Sequence, residues 1–153
     1  MKEFCGHCGS CIESSRWISA DPDGCVRGIH LWMPRNTDWY SVPYVLDAGG
    51  IPINWAGVVV QIMFRVTEYD PVPLLAISST GLTSSGQVFL SPSLGAPGAP
   101  PLPPGGIQWL TTKAVNATLT MRECQLEAVA TWANGITTPI LKALVHLEGG
   151  AFR

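Results

Sequence analysis

Residues 58–66 have the sequence VVVQIMFRV, and this stretch decides the fold class. Apolar side chains occupy every even position from Val58 to Val66, while Gln61 and Arg65 fall on the opposite face. Successive side chains of a β-strand point to opposite sides of its sheet, so a period of two is typical of a strand with one buried face. The stretch therefore predicts a half-buried strand of about ten residues.

Shorter strand patterns follow towards the C-terminus, separated by Gly and Pro residues. They lie at residues 74–78, 87–90, 107–112, 126–132 and 139–148. Asn134-Gly135 lies between the last two and predicts a hairpin with a type I′ turn. Residues 113–123 fit either a helical turn or an irregular crossing. Short strands without a good amphipathic helix predict an all-β fold, specifically an Ig-like antiparallel β-sandwich.

A proline-rich segment interrupts this series of strands. Residues 92–105 have the sequence PSLGAPGAPPLPPG, with six prolines and no charged side chain. Proline has no N–H group to donate to a strand ladder, so the segment predicts a projecting loop with polyproline II character.

The N-terminal part of the chain differs in composition. We predict two regions: a cysteine-rich arm with its connector at residues 1–41, and a β-sandwich domain at residues 42–153 that includes the loop 92–105. Within the arm, Asp21-Pro22-Asp23-Gly24 is a strong turn sequence. Its flanks, residues 16–19 and 25–32, are predicted to pair as a short hairpin that brings Cys25 back towards the preceding cysteines.

Four of the five cysteines fall in this arm, at Cys5, Cys8, Cys11 and Cys25. Zinc favours four thiolate ligands, and Cys-x2-Cys is its common half-site, so these residues predict a zinc site. The triple spacing also resembles part of an iron–sulfur run, although the fourth cysteine is distant. Disulfides, within or between copies, and unpaired reduced thiols are the remaining alternatives.

The composition and the charge of the chain argue against some classes of binding partner. Only 13% of the residues are charged and the formal net charge is −2, which argues against a phosphate-tracking nucleic-acid surface. No apolar stretch is long enough for a membrane-spanning helix, and no secretory signal is visible. We therefore expect no nucleic-acid or membrane partner and synthesis in a reducing cytoplasm. Nucleophile, phosphate-loop and nucleotide-binding motifs are also missing, so no catalytic residue is predicted.

The aromatic and histidine residues divide by position. Trp17, Trp32, Trp39 and Tyr40 lie in the arm and are predicted interface anchors. The remaining tryptophans fall on strand patterns and are expected in the core. Cys124 is expected to be buried as a small apolar side chain. His30 and His146 are also predicted to lie on strands. We expect them to be packed or surface residues rather than catalytic bases.

The order and spacing of the strand sequences carry a family resemblance. Residues 44–153 resemble the small sandwich domain at the N-terminus of bacteriophage baseplate upper proteins and of related tail-adaptor domains. The matching pieces, in order, are Trp55-Ala56-Gly57, 58–66 with Arg65, Leu74-Leu75, 86–90, Gly106-Ile107, 126–132 with the turn Asn134-Gly135, and 144–149 running out to Arg153. The proline-rich insertion is longer than in that family, and the cysteine-rich arm lies outside it.

The resemblance implies a non-catalytic virion protein, an oligomeric adaptor in a tail, baseplate or collar. It is expected to be made in the host cytoplasm and to contact other virion proteins and copies of itself. The arm would fasten neighbouring subunits through a metal or disulfides. Two alternatives stay open: a zinc- or iron–sulfur-binding accessory protein, and a carbohydrate-binding module that contacts the host surface.

Overall fold

A computed structural model describes the backbone of residues 16–17 and the chain from residue 25 to residue 148. It contains twelve strands and one short helix in this part of the chain. They are β1 Arg16–Trp17, β2 Val26–Pro34, β3 Trp39–Tyr40, β4 Tyr44–Val45, β5 Asp47–Ala48, β6 Ile51–Pro52, β7 Val59–Arg65, β8 Leu75–Ser78, β9 Gly86–Leu90, β10 Gly106–Thr111, α1 Lys113–Asn116, β11 Glu123–Thr131 and β12 Thr137–Glu148. The prediction of an all-β fold is confirmed.

The strands form two five-stranded sheets and one two-stranded sheet. In the first sheet, β10 pairs with β9 on one side and with β3 and β4 on the other, and β1 pairs with β4. The second sheet has the order β2-β12-β11-β7-β8. Strands β5 and β6 form the small sheet. Within the described residues, no helix is long and apolar enough to span a membrane.

The alternating sequences produce the core. Val60, Ile62 and Phe64 of β7 are fully buried, as the sequence predicts. They pack in one buried cluster with side chains of the first sheet, among them Ile107 and Trp109 of β10. Trp109 stacks on Tyr44 with ring centroids 5.7 Å apart. Both large sheets therefore contribute to a single core.

Three local predictions are wrong. Among the residues that the structure describes, the flanks of the 21–24 turn sequence do not pair with each other, because β1 pairs with β4 and β2 pairs with β12. Both of these pairs are parallel, so the sheets are not antiparallel throughout. The β11–β12 hairpin exists, but only Gly135 in its turn has a positive φ, at 87°, whereas type I′ would also require one at Asn134.

The hairpin uses a three-residue loop instead. The N–H of Gly135 donates to the carbonyl of Trp132, and the N–H of Trp132 donates to the carbonyl of Ile136, each at 2.8 Å. This is the type I turn followed by a left-handed glycine, the next most common way to close a hairpin.

The proline-rich loop contains no strand or helix, as predicted, but it does not project. Leu102 is buried, and the side-chain oxygen of Gln108 in β10 accepts the N–H of Ala96 at 3.1 Å. The side-chain amide of the same Gln108 donates to the carbonyl of Ser41 at 2.7 Å. The loop therefore covers the outer side of β10, which explains why all six residues of that strand are buried.

Candidate functional site

The cysteine-rich arm lies largely outside the described residues, and so do Cys5, Cys8 and Cys11. Cys25, immediately before β2, is fully buried. Within residues 25–148, no group of three or more His, Cys, Asp or Glu side chains is placed to hold a metal ion. The metal or disulfide chemistry of the four arm cysteines stays a prediction.

The predicted aromatic anchors have different surroundings. Trp32 in β2 is 57% exposed. Trp39 is half-buried and contacts Trp109 edge-on at 6.1 Å, and Tyr40 is half-buried and stacks on Phe89 at 6.3 Å. For Trp17 the structure describes only the backbone, in β1. Among the three described anchors, Trp32 presents the largest exposed fraction to a partner.

Trp32 belongs to a surface that we call the outer face: the side of the second sheet that points away from the core. Strand pairing sets its rows, because Trp32 lies opposite His146 and His146 lies opposite Glu123. The neighbouring row places Gln125 opposite Arg65. Side chains from residues more than a hundred positions apart therefore meet on one face.

One end of the outer face carries a histidine–tryptophan cluster of His30, Trp32, Glu123 and His146. The indole of Trp32 stacks on the imidazole of His146 with centroids 4.8 Å apart and planes 19° apart. His146 Nδ1 lies 3.1 Å from a carboxylate oxygen of Glu123, and its Nε2 lies 3.0 Å from Nδ1 of His30. Since the carboxylate can only accept, His146 donates to it from Nδ1, and the second ring nitrogen of His146 hydrogen-bonds the ring of His30.

This cluster is a chain of hydrogen bonds rather than a converging ligand set. The two ring nitrogens of His146 serve two different partners, so the Glu123 and His30 side chains do not meet at one point. The arrangement instead fixes the imidazole of His146 as a support for Trp32. The result is an ordered aromatic surface, which fits the prediction that the histidines are packed or surface residues.

The neighbouring part of the outer face, across β7 and β11, carries a depression of about 360 Å³. Its lining combines charged, amide, aromatic and apolar side chains: Met63, Arg65, Glu68, Tyr69, Gln125, Glu127 and Lys142. Glu127 lies between two cations, with a carboxylate oxygen 3.8 Å from Arg65 Nη1 and the other 3.8 Å from Lys142 Nζ. The depression is thus a polar site with an aromatic wall.

Hydrogen bonds fix the loop that supplies that aromatic wall. The N–H of Asp70 donates to the carbonyl of Thr67 at 3.2 Å, and the N–H of Thr67 donates to the Asp70 carboxylate at 3.1 Å. Arg65 Nε donates to the carbonyl of Asp70 at 2.8 Å. The loop presents Tyr69, which is 85% exposed. A hydrogen bond with the neighbouring Glu68 carboxylate, and the negative charge of that carboxylate, raise the pKa of Tyr69 above its ordinary value of 10.0.

Two buried ionisable side chains, Arg35 and Cys124, lie beside the second sheet. The guanidinium of Arg35 donates to the carbonyl oxygens of Leu119 and Met121. The backbone N–H of Arg35 donates to the carbonyl of Glu148 at 3.1 Å. These bonds tie the connector after β2 to the segment before β11. Cys124 is buried as predicted, and burial raises its pKa to about 12, with a smaller opposing effect from the charge of Arg35. Its thiol therefore stays protonated and unreactive near neutral pH.

Neither the depression nor the cluster was predicted from the sequence. Alternation placed Gln61 and Arg65 on one face of their strand. The missing information was that β7 and β11 are neighbours and that β2 joins β12. No family model and no curated protein matches the chain.

Proposed function

We propose that the chain is a non-catalytic structural protein of a bacteriophage virion, an oligomeric adaptor in a tail, baseplate or collar. In this proposal the two large sheets form an Ig-like sandwich, and the N-terminal arm fastens neighbouring subunits through a metal or disulfides. The partners are other virion proteins and further copies of the chain. The resemblance of residues 44–153 to tail-adaptor domains supplies the functional class.

The observation that carries the proposal is the attachment of the N-terminal segment to both sheets. Strand β1 joins the first sheet beside β4, and β2 joins the second sheet beside β12. Cys11 precedes β1 by only a few residues, and Cys25 directly precedes β2. A connection made through the arm would therefore transmit force to the whole core rather than to one flexible end. This is the mechanical property that a fastening between subunits requires.

Exposed apolar and aromatic side chains give further support. Trp32, Ile51 and Leu82 are exposed, and the protein has a low charged fraction of 13%. Tryptophan and tyrosine are enriched in the central parts of protein interfaces, where charged residues are depleted. Such a surface suits a subunit that is covered by neighbours in an assembly.

Light scattering coupled to size-exclusion chromatography tests the oligomeric state. We expect the full chain to elute as a defined oligomer. A variant in which Ser replaces Cys5, Cys8 and Cys11 should form a weaker oligomer, which dissociates at protein concentrations where the wild type stays assembled. The matched control replaces Ser10, Ser14 and Ser15 by Ala, which makes three substitutions in the same segment and keeps every thiol. A full chain that stays monomeric up to about 100 µM would contradict the proposal.

The chemistry of the fastening is tested on the same oligomer. Dissociation by a chelator, with stoichiometric zinc in elemental analysis, indicates a zinc site. Dissociation by a thiol reductant indicates disulfides between copies. Visible absorption of the purified protein indicates an iron–sulfur cluster. If neither reagent dissociates the oligomer, and the serine variant forms the same oligomer, the cysteines do not fasten the subunits.

A further inference from the structure

We propose that the depression beside Tyr69 is a binding site for a neutral saccharide. This site lies on the outer face of the second sheet, away from the cysteine-rich arm in sequence, and it does not depend on the adaptor function. The inference rests on the size, the aromatic wall, the free hydrogen-bonding groups and the charge balance of the depression.

The size of the site suits a small ligand. Its volume of about 360 Å³ falls at the lower end of the range for small-molecule pockets, roughly 300–1,000 Å³. Met63 supplies an apolar part of the lining, while Arg65, Gln125 and Lys142 supply polar groups. A few polar groups in a partly apolar concavity are the usual composition of a ligand site.

Tyr69 supplies an aromatic plane on a loop whose backbone is held by hydrogen bonds. Its side chain is 85% exposed, yet its loop is held by the hydrogen bonds between Thr67 and Asp70 and by the bond from Arg65 to Asp70. Ordering a tyrosine costs little conformational entropy, so a tyrosine on such a loop is an efficient contact surface. The apolar C–H face of a sugar ring is a chemical match for such a plane.

The charged groups of the site retain hydrogen-bonding capacity. Arg65 Nη1 and Lys142 Nζ each lie 3.8 Å from Glu127, which is an ion-pair distance but too long for a hydrogen bond. The other guanidinium nitrogens of Arg65 are engaged, with Nε on Asp70 and Nη2 3.4 Å from the sulfur of Met63, and these contacts hold Nη1 in place. Gln125 adds one donor group and one acceptor. A ligand with many hydroxyl groups can donate to the carboxylate and accept from the cations.

The charge balance selects a neutral ligand. Two cations, Arg65 and Lys142, face two carboxylates, Glu68 and Glu127, within the lining. A phosphate or an acidic peptide would meet the carboxylates, and a cationic ligand would meet the two cations. An apolar ligand would remove water from four charged groups without replacing its hydrogen bonds, which is costly. A neutral polyhydroxyl ligand avoids all three penalties.

Isothermal titration calorimetry on the full chain tests the site. The probes are neutral trisaccharides of glucose in α-1,4 and β-1,4 linkage, of mannose, of galactose and of N-acetylglucosamine. We expect at least one to bind with a dissociation constant below about 10 mM. Tyr69→Ala and Gln125→Ala should each weaken that binding about tenfold, whereas Tyr69→Phe should retain most of it because the ring remains.

Val72→Ala is the matched control. Val72 lies in the segment that follows β7, it is 75% exposed, and it does not line the depression. Its affinity should equal that of the wild type. The proposal is overturned if no probe binds below that limit, or if Tyr69→Ala, with an unchanged circular dichroism spectrum, binds as well as the wild type. It is also overturned if inorganic phosphate or a polyglutamate peptide binds the same residues more tightly. The oligomeric state plays no part in these outcomes.

Discussion

At the scale of single residues, Gly86 shows how one missing side chain allows two strands to pair. Its φ is 142°, and a Cβ atom there would overlap the carbonyl oxygen of Leu110 in the neighbouring strand β10. The obstruction is backbone, which cannot move aside as a flexible side chain can. Glycine at this position is therefore a condition for the β9–β10 pairing.

We predict that Gly86→Ala lowers the free energy of unfolding by about 3 kcal/mol, because it combines a strained φ with a backbone clash. Gly81→Ala is the control: an added Cβ meets nothing within 4 Å there, so the expected change is within about 0.5 kcal/mol. Urea unfolding of both variants measures the difference. Equal free energies of unfolding for the two variants would show that β9 and β10 can accommodate a Cβ atom at residue 86 at little cost.

Cys124 makes a pH-dependent contribution to stability. Burial raises its pKa from an ordinary 9.0 to about 12, so in alkali the unfolded chain loses the thiol proton before the folded chain does. Stability from this group is complete below pH 9 and is lost as the pH rises towards 12. We predict that the wild type loses about 1.4 kcal/mol per pH unit in this window relative to Cys124→Val, which cannot ionise.

The comparison isolates Cys124, because tyrosine, lysine and the other cysteines titrate in both proteins. Urea unfolding at pH 8, 10 and 11 under reducing conditions supplies the values. Parallel pH curves for wild type and Cys124→Val would contradict the raised pKa.

At the scale of elements, local sequence predicts strands but not their partners. Alternation along residues 58–66 was sufficient to predict β7 and its buried face, because the period-two rule involves only neighbouring residues. The parallel pairing of β2 with β12 joins segments at opposite ends of the described chain. No local pattern specifies such a contact, and a hairpin around the 21–24 turn sequence was the simpler interpretation.

The positions of the candidate sites also depend on strand pairings that the local sequence does not specify. The alternation of residues 58–66 predicted that Arg65 lies on the face opposite the buried side chains of its strand, but not that it would meet Glu127. Their meeting depends on the β7–β11 register, and the stack of Trp32 on His146 depends on the β2–β12 register. The proline-rich loop was predicted as a loop, but its packing depends on Gln108, whose amide bonds the loop on one side and Ser41 on the other. Long-range registers therefore decide where the predicted side chains meet.

At the scale of the whole molecule, strand β2 contributes to the same core as the later strands. Leu31 and Met33 point inward from it and belong to the cluster that contains Phe64, Trp109 and Val145. Arg35, just after the strand, is bonded to Leu119 and Met121. A residue from the N-terminal region is thus packed against elements that lie more than eighty positions later in the chain.

Met33 therefore offers a test of whether the molecule unfolds as one unit. Met33 is fully buried, and we predict that Met33→Ala lowers the free energy of unfolding by about 2–5 kcal/mol through lost burial and the resulting cavity. Because one core joins both sheets, the transitions in circular dichroism and tryptophan fluorescence should move together to lower urea concentration. Val42→Ala, at a side chain that is 45% exposed in the nearby connector, should change stability by no more than about 0.5 kcal/mol. Separate transitions for the two probes would show instead that β2 unfolds independently of the first sheet, and the arm could then detach without loss of the remaining core.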